Sequence, residues 1–176
     1  MMTKVKSLAI LAPLVLSAMG CDLQLLPEAA TYDGHGTPRM AVVVEAEAMP
    51  QGGVVAVDLE LVDVLIHRER DDAWIWIAGD ASRVELSLAG TAAQSSVPLL
   101  ADHYDRVLVV VDAPRVAMDG SWQRAALSND EIEIEIDLDL DGDTRVELCF
   151  DVAASLSAAS GQWHFDPRAT VRLAAQ

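Results

Sequence analysis

Three groups of residues in this sequence have types and spacings that could do chemistry. The first is the acidic series Glu131, Glu133, Glu135, Asp137, Asp139 and Asp141, whose carboxylates alternate with Ile and Leu. Asp137-x-Asp139-x-Asp141-Gly142-Asp143 copies the first half of a calcium loop, with Asp139, Asp141 and Asp143 as candidate ligands. The twelfth loop position, where a bidentate Glu belongs, is Leu148, with Glu147 one place early. The alternating Ile and Leu also demand a strand, which spaces same-face carboxylates about 6.6 Å apart in a line rather than around one ion. A solvated acidic face and a weak calcium site both stand as readings, and calcium is the one cofactor the sequence admits. The second group is Trp74 and Trp76, on one side of a short strand with Ile75 and Ile77 on the other. Such a pair can form a sugar-stacking platform, because a ring face suits apolar C–H patches. The alternative is that one Trp packs in the interior or covers an edge. The third group is the histidines.

His35, His67, His103 and His164 are scattered, with no His-x-His pair and no His-Glu-x-x-His, so a zinc site is not expected. His103-Tyr104-Asp105 invites a hydrolase reading, but Asp and His so close on a strand rarely orient as a triad. Ser87, Ser95, Ser96 and Ser128 lack the strand-Gly-x-Ser-x-Gly-helix context of an activated nucleophile. Phosphate loops and dinucleotide glycine patterns are absent. The sequence points away from an enzyme.

The elements that must position these residues follow from composition and period. The chain has 176 residues, 52% hydrophobic but only 5% aromatic, with 12 Lys+Arg against 28 Asp+Glu and a net charge of −16. That apolar fraction is too high for disorder, and the length suits one domain of ordinary size. The acidic surface repels phosphate backbones, which excludes nucleic acid as a partner. Two cysteines are too few for a disulfide scaffold or a four-thiolate zinc site.

Residues 1–20 read as an export signal, with basic Lys4 and Lys6, an apolar stretch from Leu8 to Leu16, and Ser17-Ala18-Met19-Gly20 before Cys21. The apolar run is too short for a permanent membrane helix, which needs about 20 apolar residues. A cysteine directly after the cleavage region resembles a bacterial lipoprotein signal, in which that thiol receives a diacylglycerol group. Ala18 and Met19 depart from its usual pattern, so an ordinary cleavage site with an incidental cysteine is the competing reading. Acylation of Cys21 would anchor the chain, and residues 21–38, with Pro27, Gly34, Gly36 and Pro38, would form a flexible tether. Cys149 then has no intramolecular partner and is expected to be a small buried residue.

From about Met40 the dominant period is two, the signature of β-structure. Expected strands are Met40–Ala48, Val54–His67, Ala73–Ala78, Arg83–Leu88, Tyr104–Asp112, Glu131–Leu140, Thr144–Val152 and Trp163–Leu173, separated by Gly, Pro and Asp turns. Val55, Val57, Leu59 and Leu61 share one face; the parity then changes to Val62, Val64 and Ile66, which calls for a bulge. Ala153–Ala159 offers at most two helical turns. A three-residue Asp141-Gly142-Asp143 loop would pair Leu138 with Val146, Ile136 with Leu148 and Ile134 with Phe150 in a hairpin. That register sets Arg145 opposite Asp139 but also Glu147 opposite Asp137 and Asp151 opposite Glu133, repulsions that need relief from salt, a cation or a basic partner. The expected architecture is an all-β antiparallel sandwich, Greek-key-like, of about 8 strands over residues 39–176.

Taken together, VDLELVDVLIHR, DDAWIWI, RVELSLAG, HYDRVLVVVDAPRVAMDG, VELCFDVAASL and WHFDPRATVRL resemble the bacterial domain of unknown function numbered 4382 from about Met40 to Leu173. Phe150-Asp151 with Ser155, and the late Pro167, look most like its closing motif. The chain departs from the family at Asp102-His103 (commonly Gly-Lys), at Leu127-Ser128-Asn129 (a Pro-Ser-Gly turn) and at Asp166 (usually Lys). The resemblance implies an envelope-exported β-sandwich, often lipid-anchored, and carries no activity or catalytic residues. The functional expectation is a non-enzymatic, lipid-anchored protein of the bacterial cell envelope with a binding or structural domain, its partners a membrane through Cys21 and an envelope protein or glycan. The alternative is a calcium-assisted carbohydrate-binding or adhesion module.

Overall fold

Period-two alternation becomes strand almost throughout the computed structural model, which describes residues 37–50, 52–88, 90 and 93–175. The signal at 1–20, Cys21 and most of the 21–38 tether lie outside the described residues. Gly36–Gln176 forms one compact unit. Among the described residues, eleven strands are present: β1 (Arg39–Ala48), β2 (Val54–Arg68), β3 (Ala73–Leu86), β4 (Ala93–Pro98), β5 (His103–Met118), β6 (Ser121–Leu127), β7 (Glu131–Asp139), β8 (Thr144–Asp151), β9 (Leu156–Ala159), β10 (Gln162–Phe165) and β11 (Ala169–Ala175).

The strands form an all-β sandwich. One sheet has the order β11-β8-β1-β4; the other runs β3-β2-β5-β6-β10-β9, with β7 also paired to β5. Met40, Val42, Val44, Leu148 and Phe150 of the small sheet meet Val57, Leu59, Val64, Ile66, Val107 and Val109 of the large one in a single buried cluster. Burial of these aliphatic side chains, about 1.5–3 kcal/mol each, drives the two layers together.

The parity change in β2 is a bulge. The register shifts between Leu61 and Asp63 against both β3 and β5, so the core face passes from Val57, Leu59 and Leu61 to Val64 and Ile66. A further irregularity between Val54 and Ala56 turns Val55 outward, 65% exposed, against its expected place on the core face. Strand β3 follows the Leu61/Asp63 bulge with three successive left-handed residues, Gly79 (φ +116°), Asp80 (φ +104°) and Ala81 (φ +57°). Gly79 stands opposite Asp63, and a Cβ there would collide with the Val62 carbonyl oxygen. Only glycine fits that approach.

Four sequence expectations are corrected. The strands number eleven rather than about 8: β4, β6 and β9 carry little apolar alternation to announce them, while the two strands expected at 73–78 and 83–88 are one, because Gly79-Asp80 bends β3 without ending it. Residues 163–173 divide into β10 and β11 at Pro167, which has no N–H to offer a ladder. The sheets are mixed, since β1 pairs β8 in parallel and β10 pairs β6 in parallel. The β7–β8 hairpin does not form: β7 pairs β5, while β8 crosses to the other sheet between β1 and β11. The apolar faces of β7 and β8 still meet the same core, one from each layer. The connection, residues 140–143, is a sheet-to-sheet crossing rather than a hairpin turn.

The end of β8 is knotted to the last strands. Asp151 caps the single turn α1 (Val152–Ser155) by accepting from Ala154 N at 2.8 Å. Buried Ser155 Oγ donates to Asp151 O (2.6 Å) and accepts from Arg168 N (2.8 Å). Asp166 N donates to Ser155 O (2.8 Å) and Asp151 N to Arg168 O (2.9 Å). Asp151, Ser155 and the backbone of Asp166 and Arg168 therefore form a structural joint. Cys149 is buried, and burial pushes its thiol pKa up, which leaves it a packing residue.

Candidate functional site

Residues alternate between the core and the opposite face of the large sheet, and register lines the outward ones into rows. His67 lies opposite Trp74 on one side and Arg106 on the other, and Arg106 lies opposite Glu135. The next row is Trp76, Leu65, Leu108 and Glu133. Trp74 and Trp76 share this outer face as expected, 37% and 48% exposed, with Ile77 buried and Ile75 half-buried on the inner side.

His67 is the anchor of the first row, only 3% exposed although it faces outward. Its Nδ1 lies 2.5 Å from Asp105 Oδ1 and its Nε2 2.9 Å from Asp72 Oδ1. Carboxylates only accept, so both contacts are satisfied together when each ring nitrogen carries hydrogen, which favours the imidazolium form. The hydrogen bond to Asp105 raises the His67 pKa above 6.5; burial opposes it and Asp72 adds to it. The same bond holds the Asp105 carboxyl below its usual value. Asp72 reaches the ring because it ends the 3₁₀ turn Glu69–Asp71 in a left-handed conformation (φ +53°).

Arg106 closes the row. Its Nη2 lies 3.0 and 3.1 Å from the two ring nitrogens of His67, whose hydrogens are already committed, so the guanidinium lies over the imidazole face. Nη1 donates to Glu133 Oε1 at 3.1 Å, and Cζ stands 5.3 Å from the Trp74 ring centre. The Trp74 and His67 rings are 5.0 Å apart, tilted by 55°. Stacking on a cation adds to the hold on Trp74. The result is a half-exposed indole braced from below by charge, with Trp76 beside it and acceptors (Asp72, Glu133) and a donor (Arg106) within the same face. Such a surface can stack an apolar ring face and bond hydroxyls at its rim.

Two acids of β7, Glu133 and Asp139, find counter-charges inside the sheet. His103 stands opposite Asp139, its Nδ1 2.8 Å from Asp139 Oδ1, with Glu69 3.6 Å from Nε2. That hydrogen bond raises the His103 pKa. The pairs expected from the hairpin register are absent; Arg145 instead reaches Glu45 (3.5 Å) and Glu147 (2.8 Å) on the small sheet. The three candidate calcium ligands are used separately: Asp139 by His103, Asp143 by the backbone N–H of Arg39 (2.9 Å), while Asp141 is exposed. Among the described residues, no group of three or more His, Cys, Asp or Glu is arranged to hold a metal ion.

His103-Tyr104-Asp105 does not act as a unit. The register shift between Tyr104 and Arg106 sends Asp105 to His67, while Tyr104 is fully buried and donates its hydroxyl to Leu100 O at 2.9 Å. His164 lies on β10, away from this row. Sequence reading found the tryptophan pair but not His67, Asp72, Asp105 or Arg106. One signal was available: closing a hairpin around Asp71-Asp72 sets His67 against Trp74. No family model, curated protein or solved structure matches the chain.

Proposed function

We propose that the protein is a non-catalytic binding module of the bacterial cell envelope, moored through an acylated Cys21, that presents the Trp74–Trp76 face of its large sheet to a glycan. The observation that carries this reading is the pair of half-exposed indoles side by side on one strand, the first braced by His67 and Arg106. Large aromatic surface left outside a well-filled core argues for a partner. The Lys4-to-Cys21 signal and the resemblance to the domain of unknown function numbered 4382 support the exported, anchored part. In this reading Asp139 and Glu133 are paired with His103 and Arg106 rather than with calcium.

Retention of the protein on immobilised envelope polysaccharides tests the binding. Trp76→Ala should abolish retention while leaving the melting temperature within a few degrees, since that side chain is half in solvent. Equal retention of wild type and variant, or none by the wild type on any polysaccharide, would overturn the assignment. For the anchor, intact mass of the membrane-extracted protein should show a diacylglyceryl adduct, and Cys21→Ser should release the domain from membranes. An unmodified Cys21 removes the mooring.

A further inference from the structure

The lower half of the same large sheet contains a second feature, built from arginine. Strand β5 pairs β7 up to Val110 and β6 only from Arg115, so one edge of the strand changes partner across Val111–Pro114. Ala113 there is left-handed (φ +47°) and Pro114 has no N–H, which prevents the ladder from continuing. The gap opens into a cleft of about 430 Å³, with Arg83, Arg115, Arg124, Ala125 and Leu127 among its walls. Three guanidiniums line one cleft in a chain whose net charge is −16.

Their hydrogen-bonding capacity is not used up within the protein. Asp58, only 6% exposed, accepts from Arg83 Nε (3.0 and 3.1 Å) and from Nε (3.0 Å) and Nη2 of Arg115. Arg83 spends Nη2 on the Ala113 carbonyl (3.0 Å) and has Glu60 3.8 Å from Nη1. Asp112, the acid on the cleft wall, is turned to the backbone N–H of Ala113 (2.6 Å). Arg115 keeps Nη1 uncommitted, and Trp122 holds its guanidinium from the side, 5.4 Å from ring centre to Cζ. Arg124 stands directly opposite Arg115 in the β5–β6 ladder. Among the described residues it is the one arginine whose side chain has neither hydrogen bond nor ion pair. Like charges directly opposite on paired strands are destabilising; Asp58 offsets the charge of Arg115, and among the described residues none is paired with Arg124.

We infer that the cleft is an oxyanion site: Arg124 and the free edge of Arg115 clamp a carboxylate, sulfate or phosphate group, and Ala125, Leu127 and Pro114 receive the carbon skeleton that bears it. Guanidinium forks match all three anions, and a charge-assisted pair of this kind is about twice as strong as a neutral hydrogen bond. The overall negative charge does not forbid it, because charges more than about 8 Å away are largely screened at physiological salt. The site is independent of the tryptophan face in both residues and ligand chemistry.

The full chain would be titrated with inorganic phosphate, sulfate and glucuronate, each against chloride at equal ionic strength, while the arginine Nε–Hε resonances are followed by NMR. At least one anion is expected to shift the Arg124 and Arg115 signals saturably in the millimolar range or below. A response to glucuronate alone assigns a sugar acid, and a response to phosphate or sulfate alone assigns a tetrahedral ester. Arg124→Gln breaks no contact, so it should keep the melting temperature in chloride and weaken binding about tenfold or more. Overturning results are the absence of any saturable shift with all three anions, or unchanged binding in Arg124→Gln. Trp76→Ala should bind the anion as the wild type does; loss of binding there would move the anion to the tryptophan face and end the assignment.

Discussion

His67 Nδ1 and Asp105 Oδ1 lie 2.5 Å apart although the ladder sets His67 against Arg106, not Asp105. The register shift at Asp105 makes both contacts available to one imidazole: a carboxylate in its plane and a guanidinium over its face. Asp105 and Asp72, one at each ring nitrogen, favour the imidazolium form against the cost of burial.

That arrangement has a pH signature. The His67 pKa is raised above 6.5 in the folded state, so its stabilisation is complete below that pH and is lost as pH rises through the raised value. Asp105 is lowered below 3.8, so its contribution holds above that pH and is lost as pH falls through the lowered value. Chemical denaturation from pH 4 to 9 should show the pair's effect between these limits. His67→Gln should cost about 1–3 kcal/mol near pH 6 and flatten the alkaline limb. Parallel profiles for wild type and variant would show that the ring is neutral.

Two glycines with left-handed backbones should behave differently. Gly79→Ala drives a Cβ into the Val62 carbonyl and should cost about 2–4 kcal/mol, strain and overpacking together. Gly120→Ala, at φ +75° in the β5–β6 turn with nothing within 4 Å of the added carbon, should cost about 1 kcal/mol. Equal losses would mean that the Gly79–Val62 approach relaxes freely.

Ser155→Ala removes a donor to Asp151 and an acceptor for Arg168 within the buried joint. A loss of about 1–3 kcal/mol is expected. Hydrogen exchange should quicken first at Arg168 and along β11, and a uniform change across both sheets would argue against a local joint.

Asp58→Asn leaves Arg83 and Arg115 without their shared carboxylate. Because both guanidiniums are about 40% exposed, the cost should be about 2 kcal/mol rather than that of a fully buried pair. High salt should recover part of it, which a purely steric defect would not show.

Much of the fold was legible because alternation reports which face of a strand is apolar. It gave β1, β2 and the bulge after Leu61, and it placed Trp74 and Trp76 together. Alternation does not report which strand supplies the backbone partner, so β7 and β8, apolar towards one core from opposite layers, read as a hairpin. Edge strands such as β4, with sequence AQSSVP, bury too little to leave a pattern. The braced row was less visible. His67, Asp105 and Arg106 meet through cross-strand register and a one-residue shift, and neither is written in any single segment.

Among the described residues, strand β7 bonds to β5 along one edge only. Its EIEIEIDLD run alternates aliphatic and acidic side chains, and with neutral residues in the acidic places it would recruit a second copy by strand addition. Two such edges brought together instead set glutamates and aspartates shoulder to shoulder, and the copies part. For a protein held in two dimensions at high local density, as the proposed anchor would hold it, that refusal to zip keeps this edge from joining neighbouring copies.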